Sequence, residues 1–223
     1  MKSTVTSIFL ALIAIVAMAI PLFAWWTSVG NPADYFVGYS PPGQKLYIFS
    51  KLAGLMAICV FWLQCLLALT KRLAGPAYRA AWSSRSHRLL GIVTFSLAFL
   101  HVALFFAAAS VRAGKPAWGL FLPNFTQGYF NQSVSLGLIA FGLLCVGFFA
   151  GWKLASGRGR WRIGHYLWII VFPLVFLHAT AIGTESQMSL MMYFLVSMSA
   201  TLLVIGVARF RGLFTLNQKG SAW

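Results

Sequence analysis

Ser86–Ala109 reads SHRLLGIVTFSLAFLHVALFFAAA, an apolar run that carries His87 and His101. About twenty apolar residues are enough to cross a bilayer as a helix, so this stretch is read as a membrane span. A second stretch, Trp161–Ile182, reads WRIGHYLWIIVFPLVFLHATAI and carries His165 and His178. These are the only four histidines of the chain, two on each of two spans. Ionisable or metal-binding side chains are costly at membrane depth and mark function there. Neutral imidazole is a common metal ligand.

Outward from these stretches the chain stays apolar. Of its 223 residues 60% are hydrophobic and 9% charged, whereas about 25% are charged in a soluble domain. The chain is therefore read as one all-α integral membrane domain over residues 1–223. The apolar runs are continuous rather than alternating, which argues against a transmembrane barrel. Six spans are expected, at about 6–26, 46–70, 87–109, 133–153, 163–182 and 188–208. The first follows Lys2 and begins like a signal peptide. Its length and its close on Trp25-Trp26, a pair suited to the membrane interface, favour a retained span. In the fourth span Gly137, Gly142, Gly147 and Gly151 are small positions that allow close helix packing.

The net charge of +15 follows the bilayer and does not point to nucleic acid. Lys2, Lys71, Arg72, Arg79, Arg85, Arg88, Lys153, Arg158, Arg160, Arg162, Arg209, Arg211 and Lys219 fall on the face that carries both termini. Lys45, Lys51, Arg112 and Lys115 fall on the other, with both acids, Asp34 and Glu185. The positive-inside rule then makes both termini cytoplasmic.

His87 and His101 are fourteen residues apart, about 21 Å of rise, and roughly 40° apart around a helix axis. His165 and His178 are thirteen apart, about 19.5 Å of rise, but roughly 140° apart on an ideal helix. Pro173 lies between them, and proline kinks or unwinds a helix. The turn around Pro173 is therefore expected to bring His178 round. The third and fifth spans run in the same direction, so His87 is level with His165 and His101 with His178. Two facing pairs at two depths suit the axial positions of two b-type haems, and bis-histidine iron favours electron transfer. Zinc or a proton relay would call for closer ligands or carboxylates, and the spans hold no Asp or Glu. Cys59, Cys65 and Cys145 lie within apolar runs and form no C-x-x-C-H or C-x-x-C, which argues against covalent haem, zinc and iron–sulfur sites. The alternative of another class is a haem-free transporter or scaffold whose histidines bond neighbouring helices.

The two histidine spacings resemble the ferric reductase transmembrane family, as do R-x-H-R-L-L-G at Arg85–Gly91, L-H at Leu100-His101 and W-R-x-x-H at Trp161–His165. That family includes ferric-chelate reductases, NADPH oxidase membrane cores and the haem subunit of a bacterial methionine sulfoxide reductase. The likeness covers about residues 46–210. It implies a six-helix bundle with two b haems between the third and fifth helices, an inner one on His87 and His165 and an outer one on His101 and His178. It implies electron transfer from a cytoplasmic reduced flavin or flavoprotein to an outer-face acceptor, a ferric chelate first, otherwise a partner reductase or a quinone. Many members continue into a flavin- and nicotinamide-binding region. This sequence has no G-x-G-x-x-G following a strand, so the flavin is expected from a separate flavoprotein or flavin reductase. The sulfoxide-reductase subunit also lacks that region, which makes a haem subunit serving a periplasmic reductase the same-fold alternative. That subunit often lacks the first histidine of the third span, whereas His87 is present here. A bacterial inner membrane is the expected location.

Haem propionates are anionic, so nearby basic groups are candidate partners: Arg85, Arg88 and Arg162 for the inner haem, Lys51 and Arg112 for the outer one. Phe95 and Phe172 lie about midway between the histidine levels and are candidates to stand between the haems.

Overall fold

In lipid every backbone N–H and C=O must be satisfied within the chain, which leaves helices as the answer to long continuous apolar runs. The computed structural model describes residues 2–71 and 84–220, and no strand occurs among them. The long helices are α1 (Lys2–Val29), α2 (Gln44–Thr70), α3 (Ser84–Ala113), α4 (Gly128–Ala155), α5 (Trp168–Ile182) and α6 (Ser189–Gly220). A single turn at Arg162–His165 leads into α5, and another at Asp34–Val37 sits between α1 and α2. Six segments are long and apolar enough to cross a membrane, the fifth running through Gly159–Ile182. This is the architecture of a helical integral membrane protein. Arg72 and Arg79, two of the basic loop residues, lie outside the described residues.

The helices alternate in direction. Trp25 near the end of α1 reaches Ile48 near the start of α2, and Ser28 reaches Glu185 just before α6. Both termini therefore lie at one end of the bundle, called proximal here, and the α1–α2, α3–α4 and α5–α6 connections at the distal end.

The packing centre is α2. Leu55, Ile58, Cys59, Phe61, Trp62, Leu63 and Cys65 are all buried along it. They meet Ala17 and Ala24 of α1 and Met191, Leu195 and Met198 of α6, which are likewise buried. The Trp62 indole donates to the Met198 carbonyl and to Thr201, both at 3.1 Å. Trp25 is buried too and donates to the Ile48 carbonyl at 2.7 Å. Of the expected interfacial pair only Trp26 stays exposed, because a helix–helix contact claims Trp25. Outward faces carry Leu12, Ile15, Ile92, Phe99, Leu203 and Val204, exposed apolar side chains suited to lipid. Gly43 opens α2 with φ of 76°, and its missing side chain lets the backbone close against Ala108 of α3.

The closest helix neighbours are α2 with α3 and α4 with α5. Helix α3 carries His87 and His101, and α5 with the turn ahead of it carries His178 and His165, yet the backbones of α3 and α5 scarcely meet. The bundle is thus two antiparallel hairpins with a groove between their second members.

Candidate functional site

Three histidines are aimed by the same local device. In a helix the carbonyl of residue i already accepts from the N–H of i+4, and a side chain at i+4 would cover it. A glycine at i+4 exposes that carbonyl to a neighbouring helix. His101 Nδ1 lies 2.8 Å from the Ser50 carbonyl, its ring over Gly54, where a Cβ would come within 2.9 Å. His178 Nδ1 lies 2.8 Å from the Ser133 carbonyl, its ring over Gly137, where a Cβ would come within 2.6 Å. His165 Nδ1 lies 3.3 Å from the Gly147 carbonyl, its ring over Gly151, where a Cβ would come within 3.0 Å. A carbonyl only accepts, so each contact puts the proton on Nδ1 and leaves Nε2 as the free ligand nitrogen. Such second partners orient metal-bound histidines generally.

The platforms recur in register. Ser133 and Gly137 on α4 follow Ser50 and Gly54 on α2 by the same 83 positions. The same step relates Gly147 and Gly151 to Gln64 and Ala68. Gln64 is thus the counterpart of the carbonyl-supplying Gly147, and Ala68 that of the platform glycine Gly151. The Gln64 amide approaches the His87 carbonyl at 3.5 Å, its oxygen accepts from Thr94 at 3.4 Å, and it lies against Gly91.

The expected pairing is present. The ring centroids of His87 and His165 are 6.0 Å apart with planes at 86°, and those of His101 and His178 are 6.2 Å apart at 69°. Two imidazoles on opposite sides of one metal ion would lie about 6.3 Å apart by ring centroids, given bonds of about 2.0–2.1 Å and roughly 1.1 Å from nitrogen to ring centre. Among the described residues no group of three or more His, Cys, Asp or Glu side chains could hold a bare metal ion. A haem needs only two protein ligands, because its macrocycle supplies the other four. Paired ligand nitrogens, cleared glycine surfaces and a groove between α3 and α5 therefore fit two haems.

The device that turns His178 toward His101 is not where proline was expected to put it. Pro173 lies inside the continuous helix α5. The tightening lies one turn earlier, where Leu167 N bonds Gly164 O, Ile169 N bonds Tyr166 O and Ile170 N bonds Leu167 O, each three residues apart. A 3₁₀ turn advances about 120° per residue against 100° in an α-helix. Three or four such residues remove roughly 60–80° of the 140° mismatch. Proline lacks a donor but keeps helical φ, so α5 can run through Pro173.

A cavity against the distal pair is lined by apolar side chains of α2 to α5, with Ser50, Gly54, Thr94 and Gly137 on its walls and Lys51, Glu185 and Ser186 at its distal corner. Lys51 forms an ion pair with the buried Glu185 and donates to Thr184 at 2.7 Å. Glu185 also accepts from Ser28 at 2.9 Å and Thr184 at 3.1 Å. Arg112 is exposed, lies over the Tyr47 ring at 5.8 Å and donates to Gln44 at 3.4 Å. Arg85, Arg88 and Arg162 are exposed beside the proximal pair. Phe95 stacks on Phe148 at 4.3 Å and joins α3 to α4, while Phe172 is buried against Phe61 of α2 at 6.1 Å. Both rings thus have packing partners of their own. Cys59 and Cys65 are buried and Cys145 half-buried, all as free thiols.

Sequence reasoning found the four histidines but missed Ser50, Gly54 and Ser133, and treated Gly137 and Gly151 as packing positions only. The signal was there: a small residue followed four positions later by glycine, level with a histidine on the next span. No protein-family model, curated protein or solved structure matches the chain.

Proposed function

We propose that this chain is a di-haem b membrane protein of the ferric reductase-like kind, moving electrons across the bilayer from a cytoplasmic reduced flavin or flavoprotein to a ferric chelate at the outer face. One observation carries the reading: two histidine pairs at two depths, each about 6 Å across by ring centroids, facing over a groove where their helices do not pack. A bare structural role would favour rings buried in a closed helix contact. Here glycines on α2 and α4 clear room for the rings, and backbone carbonyls hold Nδ1, leaving Nε2 toward the groove.

His87 and His165 would hold the proximal haem and His101 and His178 the distal one; when bound, the two irons supply one-electron steps at two depths. The residues themselves exchange no protons in this role. They hold position, and the apolar walls keep water from the distal pair. Arg85, Arg88, Arg158, Arg160 and Arg162 are exposed toward the proximal end, a basic surface that would steer an acidic flavoprotein. With that end cytoplasmic, as the positive-inside rule directs, electrons would enter there and leave near the 27–45 and 110–132 loops. The outer acceptor rests on the family resemblance.

The test uses the full chain in sealed vesicles, with a flavin reductase and nicotinamide cofactor on the proximal side and a ferric chelate on the distal side. The expected result is ferrous chelate formation that His101→Ala abolishes. Protein from haem-replete cells that shows no haem absorption would overturn the reading. Haem-loaded protein that reduces no chelate until a separate periplasmic reductase is added would move the acceptor to that partner.

A further inference from the structure

The distal corner of the cavity has spare hydrogen-bond donors. An ammonium has three N–H groups. Glu185 and Thr184 engage two of those on Lys51. The neighbouring Ser186 hydroxyl is buried, 1% exposed, lines the same cavity and has no hydrogen-bond partner among the described residues. Buried polar groups are otherwise almost always paired, so an orphaned hydroxyl on a cavity wall marks a place for a ligand atom. Glu185 already has partners on both oxygens, in Ser28, Lys51 and Thr184. It serves to hold the Lys51 head against the wall, where a lone lysine would reach out to solvent. Arg112 over Tyr47 adds positive charge at the same rim, and Lys51 flanks that ring at 5.5 Å.

The geometry points to a carboxylate seat formed by Lys51 and Ser186, which takes the anionic edge of the flat apolar group held between His101 and His178 and turns that edge toward the distal face. The inference rests on the haem reading and deepens it, assigning Ser186 and Glu185 roles that ligand spacing does not reveal. Lys51 Nζ and Ser186 Oγ donate to the carboxylate, and Glu185 is the positioning residue for Lys51. The rest of the cavity is mostly apolar, and its Ser50 and Thr94 hydroxyls already donate to the His101 carbonyl and to Gln64, so this corner is the better-supplied seat for a carboxylate.

The test is loading of the full chain, made in haem-depleted cells and held in detergent, with haem or with haem dimethyl ester, whose propionates carry no charge. Wild type is expected to take haem at the distal site about tenfold more tightly than the ester. Ser186→Ala is the informative variant, because it removes a hydroxyl that bonds to none of the described residues. It is expected to narrow the preference to about threefold while loading at the proximal site stays unchanged. Lys51→Gln combined with Glu185→Gln removes the charge pair together and is expected to abolish the preference. Equal loading of haem and ester at the distal site of wild type would overturn the seat, as would a preference that survives all these changes. Failure to load either compound at any site would defeat the haem reading itself, a separately recognisable result.

Discussion

The two histidine pairs use the same device to different finish. At the distal pair both rings sit on glycine platforms, and both Nδ1 atoms lie 2.8 Å from a carbonyl of the partner helix. The Ser50 hydroxyl adds a contact to His101 Nδ1 at 3.1 Å and donates to the His101 carbonyl at 2.9 Å. At the proximal pair His165 has a longer contact, 3.3 Å, and on α2 Gln64 and Ala68 stand where α4 has Gly147 and Gly151. A shared scaffold with graded hydrogen bonding teaches that the pairs need not be equivalent sites. The distal one is fixed by helix contacts on both sides and walled by apolar side chains. The proximal one lies between the turn at Arg162–His165 and the start of α3.

The comparison breaks most severely if the platforms are filled. Gly137→Val puts a side chain within 2.6 Å of His178 Nδ1. It is expected to remove distal binding, lowering haem per chain from about two to about one by pyridine haemochrome. Gly151→Val, where the approach is 3.0 Å, should act on the proximal pair alone and raise haem loss about tenfold without emptying the distal site. Loss of both haems together would show that the two platforms are not independent.

The next test separates two serines. Ser50 contributes both its carbonyl and its hydroxyl to His101, whereas Ser133 contributes its carbonyl to His178 and spends its hydroxyl on Tyr129. Ser50→Ala should weaken distal retention about fivefold, and Ser133→Ala should leave it unchanged, in haem-transfer assays. The smallest effect is reserved for Gly142, where an added Cβ meets nothing within 4 Å. Gly142→Ala should leave haem content unchanged and raise thermal stability slightly through helix propensity. Haem loss there would mean that flexibility of α4, and not cleared space, is what its glycines supply.

Much of this arrangement was legible in the residues, and the illegible parts have physical reasons. Continuous apolar runs announce six helices, because lipid leaves the backbone no other way to satisfy itself. The histidine spacings place two pairs at matched depths, because rise along a helix depends on residue count alone. Rotation does not: the tightening that turns His178 sits at Leu167–Ile170, ahead of Pro173, since local bond patterns answer to the whole turn. An apolar helix buried in protein reads like one facing lipid, so α2 did not stand out as the packing centre, nor Trp25 as a buried donor. The Lys51–Glu185 pair joins residues far apart in sequence, and only the fold brings Glu185 from the α5–α6 turn against α2. The platforms were hidden because a glycine four positions after a small residue also reads as ordinary close packing.

Haem stoichiometry per chain, measured on purified wild type, His87→Ala and His101→Ala, tests the central claim most directly. Two b haems in wild type, falling to about one in each variant, is the predicted result, with the His87→Ala protein keeping the more tightly held distal haem. No haem in protein made with ample supply, or haem content indifferent to His101→Ala, would contradict the account and return the four histidines to helix packing.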